Sequence, residues 1–459
     1  MSTIGTEVIV GASIAVVGAG IAGLSAAFDL QKAGHEVVVY ECDDMAGGRM
    51  ADRIVNGICV HTGASVIFPF NKAMFELIDE MGIRGDVVGE GASDGAVTVN
   101  NGTIEYPLRL TFNPGFLLAH PAFGMRTKLR LATLLPDLLR SRLQVDPCMM
   151  HTAVRFDDET VTSYVERMVS REFLEDYVEP YFRAPWHWEP ERISRAYLIA
   201  LMGHVLGASE LSFRFGIGQL TRTLASRLTV RTGVAVQSVA VEAQRCRLAL
   251  VGRDGARTEH ADFVVLAVPG TRVSEMLPGL DPVDRAFFDG IRYTRGARIY
   301  YALSDRNFAP CARWFTRRST SRFSLFHAIP QDLLVPEGHV QPGYLQCEFT
   351  PQMSEQIAHE GGQSRLDGYA RPEIARLYPE VADRIVGAAE QWWDDMLPEW
   401  YPGYARSVAS FLSRREDLPS RVYYCGDYVS QSHAGGACAS GRATAALLQH
   451  HWRSSAAHS

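Results

Sequence analysis

Three glycines spaced Gly18-Ala-Gly20-Ile-Ala-Gly23, with the acidic Glu41 further on, speak most directly of chemistry in this 459-residue chain. The first glycine of such a set permits a tight turn, the second lets backbone approach a pyrophosphate, and the third lets a helix pack closely on a strand. A carboxylate at the place of Glu41 accepts ribose hydroxyls. That is the chemistry of holding a dinucleotide. The elements that must position it surround it. Ile14–Val17 reads as an apolar strand entering the loop, a small-residue helix runs on through Leu30, and Glu36–Tyr40 reads as a second strand ending on Glu41. The helix start adds free N–H groups and a positive dipole end facing the phosphates. Ala22, inside the motif, is counted with the site. A lone GxGxxG is weak evidence and a purely structural glycine turn is the alternative, but strand, helix and acid together favour a bound dinucleotide.

Three further segments point to FAD rather than NAD. Gly47-Gly48-Arg49 brings a guanidinium and bare backbone to the same pyrophosphate. Val230–Val239 and Asp262–Pro269 read as strands that return to the nucleotide domain. Val422-Tyr-Tyr-Cys-Gly426-Asp427 reads as a strand ending in an acid, after which Ala434-Gly-Gly436-Ala437 through Gly441-Arg442 opens a helix running to Leu448. This set, in this order, resembles the flavin-containing amine oxidase and protoporphyrinogen oxidase superfamily, which also holds the phytoene-type desaturases. The match covers the nucleotide-binding parts at both ends and one stretch in the middle. It is specific for the superfamily and poor for the member.

The resemblance implies an α/β fold, a Rossmann-like FAD-binding domain interleaved with a mixed α+β substrate-binding domain, as in protoporphyrinogen oxidases and amine oxidases. It also implies roles. Gly18, Gly20, Gly23, Glu41, Gly48 and Arg49 take the adenosine and pyrophosphate; His61-Thr-Gly63-Ala64-Ser65 passes close to the flavin ring. Val236 holds the adenine through its backbone, and Asp427, beside Gly426, lies near the pyrophosphate and ribityl chain. Gly436 and Ala437 start the final helix beneath the pyrimidine end of the flavin, where the helix dipole stabilises negative charge on the reduced ring. Met45 departs from the family, which carries an arginine ahead of the two glycines.

The superfamily's chemistry is removal of a hydride, with a proton, from a C–N or C–C bond, the flavin carrying the difficult step. In the amine oxidase branch two upright aromatic side chains guide the amine, and a lysine holds a water at the flavin. This chain departs on both counts. His433 takes the place of the aromatic residue before the final helix, and none of the three lysines (Lys32, Lys72, Lys128) lies in the middle strand, where the nearest cation is Arg298. His433 reads either as a proton acceptor facing the flavin or as a loop histidine satisfied by backbone. Trp400 is a candidate aromatic wall, with a core position as the alternative. Arg298 is a candidate carboxylate anchor, although a surface ion pair is the preferred reading. No cysteine falls in Trp400-Tyr-Pro-Gly-Tyr404, where some amine oxidases link the flavin, so noncovalent FAD is expected.

Composition fits a large soluble enzyme. The length exceeds a single core, the net charge of −7 argues against a nucleic-acid partner, and eight scattered cysteines without CxxC pairs suit a reducing cytoplasm. No metal site is expected, the pair His450-His451 reading as a frayed helix end, and no nucleophile elbow is evident. The expected FAD-binding domain comprises residues 1–75, 215–285 and 390–459, and the substrate-binding domain residues 76–214 and 286–389. Residues 72–215 read mostly as helices, including Phe75–Met81 and Leu129–Leu143; residues 291–388 mix helices with strands such as Arg298–Leu303 and Leu345–Phe349.

The apolar run from Gly11 to Leu30 is explained by its glycine pattern, not by a signal or membrane segment. From Phe116 to Leu143, leucines and phenylalanines alternate with Arg126, Lys128, Arg130, Arg140 and Arg142. A basic amphipathic helix of this kind can lie on an anionic bilayer; a helix covering the substrate cavity with solvated arginines is the preferred reading. The expectation is an FAD-dependent oxidoreductase making a C=C or C=N bond in a bulky organic substrate, with oxygen or another acceptor recycling the flavin. A desaturase or porphyrinogen-type oxidase is favoured over an amine oxidase, and a redox-neutral flavoprotein such as an isomerase is the third alternative.

Overall fold

A computed structural model describes residues 11–89, 96–109, 114–204, 208–308, 310–329, 335–340 and 343–456; the first ten residues of the expected FAD-binding domain lie outside it. A five-stranded parallel sheet runs in the order Val422–Tyr424, Phe263–Leu266, Ser13–Val17, Glu36–Tyr40, Thr229–Arg231. Its centre is the apolar strand Ser13–Val17, registered so that Val17 sits between Tyr40 and Leu266. The inner strands, flanked on both sides, are mainly apolar runs, as buried parallel strands are, whereas the edge strand Thr229–Arg231 is mostly polar and largely exposed. Helix Ile21–Lys32 packs between this sheet and the C-terminal helix Ala434–Ala456, Gly441 lying so close that an added Cβ would come 2.1 Å from the Ala22 carbonyl oxygen.

The strand expected over Val230–Val239 is two. Gly233, at φ +66°, turns the chain after Thr229–Arg231, which completes the parallel sheet, and Val234–Val241 starts a three-stranded antiparallel meander with Cys246–Gly252 and Gly255–Ala261. Only glycine takes that left-handed turn without a Cβ penalty. The helix expected over Leu129–Leu143 is likewise interrupted, running as Met125–Arg130, a tighter turn at Leu131–Leu134, and Leu135–Gln144 with Pro136 in its first turn. The C-terminal helix continues past Leu448, and His451 is not frayed: its ring nitrogens lie 2.9 Å from the Tyr423 hydroxyl and 2.9 Å from the Glu416 carbonyl oxygen.

The second sheet has seven strands, ordered Ile385–Pro398, Tyr293–Leu303, Tyr344–Phe349, Phe323–Ile329, Cys311–Phe315, Ala96–Asn100, Glu105–Arg109. The last two are a hairpin inside the region read as mostly helical, and the boundary drawn at residue 390 falls inside the first. Side chains alternate between the faces of a strand. Ile299, Tyr301, Cys347 and Phe349 enter a core with Ile357 and Ile374 from the helices Pro351–His359 and Leu366–Leu377. Arg298, Tyr300 and Glu348 leave from the other face, which turns toward the loop carrying Gly63.

No described helix is long and apolar enough to cross a membrane. Between residues 114 and 144, however, several leucines point outward. Leu129, Leu139 and Leu143 are 69%, 63% and 83% exposed, and Met125 is 69% exposed, while Thr127, Leu138 and Ser141 face inward.

Candidate active site

The three glycines of the loop meet different surroundings. Gly18 sits at φ +103° and a Cβ on it would lie 2.6 Å from the Ala267 carbonyl oxygen; on Gly23 it would lie 2.0 Å from that of Gly18. On Gly20, by contrast, a Cβ would meet nothing within 4 Å. The tight turn, the close helix packing and the open side for a phosphate are therefore distributed as the spacing predicts. No side chain caps the helix at Gly20, so its first N–H groups are left for a ligand. Glu41, buried at the end of its strand, accepts from the Ala19 N–H at 2.7 Å and from the Asp43 N–H at 3.0 Å. Its own carbonyl accepts from the Val234 N–H at 2.8 Å, which brings the segment of Val236 alongside.

The second glycine pair closes the cradle. The Gly47 N–H donates to the Ala19 carbonyl at 2.8 Å, and Gly48, at φ +53°, lies over Gly20. Arg49 then reaches across the molecule: its guanidinium is 2.7 Å from Asp427 and donates to the Met396 carbonyl at 2.6 Å. The Tyr293 hydroxyl donates to the same aspartate at 3.2 Å. Burial opposes the charge on Arg49, but Asp427 outweighs it and holds the guanidinium more firmly protonated than usual. Residues 63–65 lie against this arginine, the Ala64 N–H donating to its carbonyl at 2.8 Å. The Ser65 carbonyl is held by the Ser212 hydroxyl at 3.0 Å. At the far side the Gly426 N–H is held by Ser440 at 3.1 Å, and a Cβ on Gly436 would collide with Gln431 at 2.5 Å. The Ala437 N–H donates to the His433 carbonyl at 3.0 Å, at the start of the C-terminal helix. The uncapped start of helix Ile21–Lys32, the open face of Gly20 and the bare backbone at Gly48 fit a dinucleotide such as FAD.

His433 has both ring nitrogens tied to backbone. Nδ1 accepts from the Gly435 N–H at 3.2 Å, and the other side of the ring bonds the Val66 carbonyl. Burial pushes its pKa down to about 4, so it is a neutral imidazole near pH 7. Its ring lies 5.2 Å from Phe68. Trp400 is 1% exposed, donates to Ser432 at 3.0 Å and packs on Tyr404. Through Tyr197, Trp188 and Trp186 it joins the aromatic segment 181–188 in one continuous wall.

Arg298 is not in a surface pair but in a buried one. Its guanidinium grips Glu348, directly opposite on the neighbouring strand, with Nε to Oε2 and Nη2 to Oε1 both at 3.1 Å. Nη1 donates to the Tyr300 hydroxyl at 3.1 Å and reaches the Gly63 carbonyl at 3.4 Å. Burial pushes the Glu348 carboxyl up, but Arg298 and then His187 pull it down to about 2. The fully buried His187 places Nε2 2.6 Å from Glu348 Oε1. His327 lies near the same carboxylate, and burial holds its pKa down to about 4. Sequence reasoning missed Glu348, His187 and His327. The available signal was a glutamate inside the mainly apolar Tyr344–Phe349, since an unpaired carboxylate is almost never fully buried.

Comparison with known proteins gives a consistent picture. Residues 21–449 match the family model for flavin containing amine oxidoreductases. The chain is 20% identical to protoporphyrinogen oxidase 2 of Arabidopsis thaliana over 96% of its own length and 94% of that protein's. Among solved structures it resembles a putrescine oxidase bound to putrescine, at a TM-score of 0.70 and 17% identity, covering 96% of this chain and 99% of that one. Cyclohexylamine oxidase from Brevibacterium oxydans superimposes at 0.69 and 16% identity, covering 96% and 100%. At these identities the structural likeness speaks for the fold alone.

Proposed function

The chain belongs to the flavin containing amine oxidoreductase family, and on that premise we propose that it is an FAD-dependent enzyme taking a hydride and a proton from a bulky organic substrate. The product carries a new C=C or C=N bond, and oxidation of a carbon skeleton, in the manner of a desaturase or porphyrinogen oxidase, is favoured over amine oxidation. One observation carries the preference. Where the amine branch is expected to present a lysine, this chain presents Arg298, already neutralised by Glu348 and bonded to Tyr300. Such a pair orders a polar ceiling but offers no mobile amine. Flavin amine oxidation to imine and peroxide is the second reading, supported by the breadth of the family match.

In this reading Gly18, Gly20, Ala22, Gly23, Glu41, Gly48, Arg49, Val236, Gly426 and Asp427 hold the dinucleotide noncovalently. Gly63, Ala64 and Ser65 border its ring, and Gly436 and Ala437 turn a helix N-terminus toward it. FAD, when bound, supplies the electron acceptor; oxygen or another acceptor restores it. The protein's own work is to hold the substrate against Trp400 and His433 and to exclude water. The test is anaerobic mixing of the purified flavoprotein with primary and secondary amines, then with polyenes and porphyrinogens, following flavin bleaching. Bleaching by an amine overturns the preference. A flavin untouched by amines and bleached by a carbon-skeleton substrate is the expected result.

An anionic bilayer enters as a partner on a separate observation. The outward residues Met125, Leu129, Leu139 and Leu143 stand among five basic residues and one acid, Asp137, in residues 114–144 of a chain whose net charge is −7. That combination suits peripheral contact with lipid.

A further inference from the structure

His187 is held as a base is held. Its Nε2 is fixed on Glu348 Oε1 at 2.6 Å, and Glu348 is itself clamped by Arg298 through both oxygens. With Nε2–H donating to a carboxylate, the tautomer leaves a lone pair on Nδ1. That nitrogen is buried and has no hydrogen-bond partner among the described residues. Its backbone is left-handed, at φ +52°, where it closes the helix Glu179–Trp186 with a wholly buried ring. The position fits as well, because Arg298 also reaches the Gly63 carbonyl and Trp188 continues into the wall of Tyr197 and Trp400.

We propose that His187 is the proton acceptor of the oxidation, with Glu348 and Arg298 as its positioning residues; this rests on the oxidoreductase reading above. The substrate it suits presents an N–H or an acidified C–H beside the carbon to be oxidised. The C–H bond at that carbon breaks and its hydrogen leaves with both bonding electrons to the flavin, which is the two-electron oxidant. The adjacent X–H bond, X being nitrogen or carbon, gives its proton to Nδ1, and the electron pair left on X closes the C=X bond. The imidazolium so formed lies against the Glu348 carboxylate, which Arg298 keeps ionised. His433, the candidate suggested by position in sequence, has both nitrogens engaged by backbone and takes no part in the proton transfer.

The first test uses resting holoprotein labelled with [15N]histidine, the His187 signal being assigned from its loss in His187→Asn. Asparagine tolerates the left-handed backbone and keeps a donor for Glu348. The expected signal has a protonated Nε2 and a bare Nδ1; a protonated Nδ1 overturns the proposal. The second test uses whichever compound of the amine, polyene and porphyrinogen panel bleaches the wild type fastest. His187→Asn should slow anaerobic bleaching by about 10²-fold or more, keep its flavin and its reduction by dithionite, and be partly rescued by added imidazole. Bleaching at the wild-type rate overturns the proposal, as does a loss of rate that imidazole leaves unchanged. Should no compound bleach the wild type, the oxidoreductase reading fails, while the tautomer still decides the state of His187. Glu348→Gln, which removes the charge but keeps the shape, should release the tautomer lock and show both ring forms.

Discussion

The two sheets meet the candidate active site by different means. The parallel sheet offers backbone: glycines at loop ends, uncapped N–H groups at helix starts, and a carboxylate whose oxygens secure the loop itself. The seven-stranded sheet offers side chains, Arg298 and Glu348 paired across adjacent strands, with His187 brought in from a helix end. Backbone recognition depends on the absence of a Cβ, side-chain recognition on the match of partners from distant segments. The first therefore tolerates no substitution and the second tolerates only paired substitution.

The most damaging change should be Gly23→Val. Its Cβ would stand 2.0 Å from a backbone oxygen, which cannot give way as a side-chain tip can. A loss of at least about 3 kcal/mol is expected, seen as protein without visible flavin absorbance. Retention of flavin would break the contrast between the sheets. Next is Glu348→Ala, which leaves the buried Arg298 guanidinium without its counter-ion and the His187 Nε2–H without its acceptor. It should cost about 3–5 kcal/mol in urea unfolding, and Arg298→Leu combined with Glu348→Leu should recover much of that. If the double variant is no better than the single, pairing is not what the substrate sheet requires.

Acidification separates the regions on a finer scale. The carboxyl of Glu348 is depressed from 4.5 to about 2, so its contribution is present above pH 4.5 and lost as pH falls through about 2. The imidazoles of His120, His327 and His433 are depressed from 6.5 to about 4. Folded, they bind fewer protons than unfolded, so their contribution is full above pH 6.5 and lost as pH falls through about 4. Thermal melting across these windows should therefore decline before Glu348 protonates, and His327→Asn should flatten the earlier decline. An unchanged decline in that variant would remove His327 from the account. The smallest effect on stability belongs to Leu139→Glu with Leu143→Glu. Both sites are open to solvent, so unfolding should shift by no more than about 0.5 kcal/mol. Co-sedimentation with phosphatidylglycerol vesicles should nonetheless be lost, and equal recovery of wild type and variant would count against the bilayer.

This contrast also explains what could be read from the chain alone. Gly18, Gly20, Gly23, Gly48 and Arg49 sit within a short stretch, so their spacing carried the turn and close packing of the loop without help from distant segments. The strand break at Gly233 was less visible, because a valine-rich run with one glycine reads equally as one strand or two. Arg298 could be singled out as a cation but not placed, since its partner Glu348 is 50 residues away and becomes one only through strand register. His187 gave still less, one histidine among aromatics, whose meaning depends on a carboxylate from another element. His433 could be located by motif, but its backbone partners are set by how the helix start folds back on residues 66 and 435.

The contact of helix Ile21–Lys32 with the C-terminal helix joins segments far apart in the chain: the Ser25 hydroxyl meets the Cys438 carbonyl at 3.3 Å, 413 residues away. During translation, at about 5–20 residues per second, the phosphate loop therefore emerges many seconds before the helix that backs it. A nascent chain can form the strand and glycine turn early yet has no complete cradle until the helix Ala434–Ala456 has left the ribosome. Flavin loading thereby waits on residues 434–456, and a chain stalled short of residue 434 would be colourless however well its first half had folded.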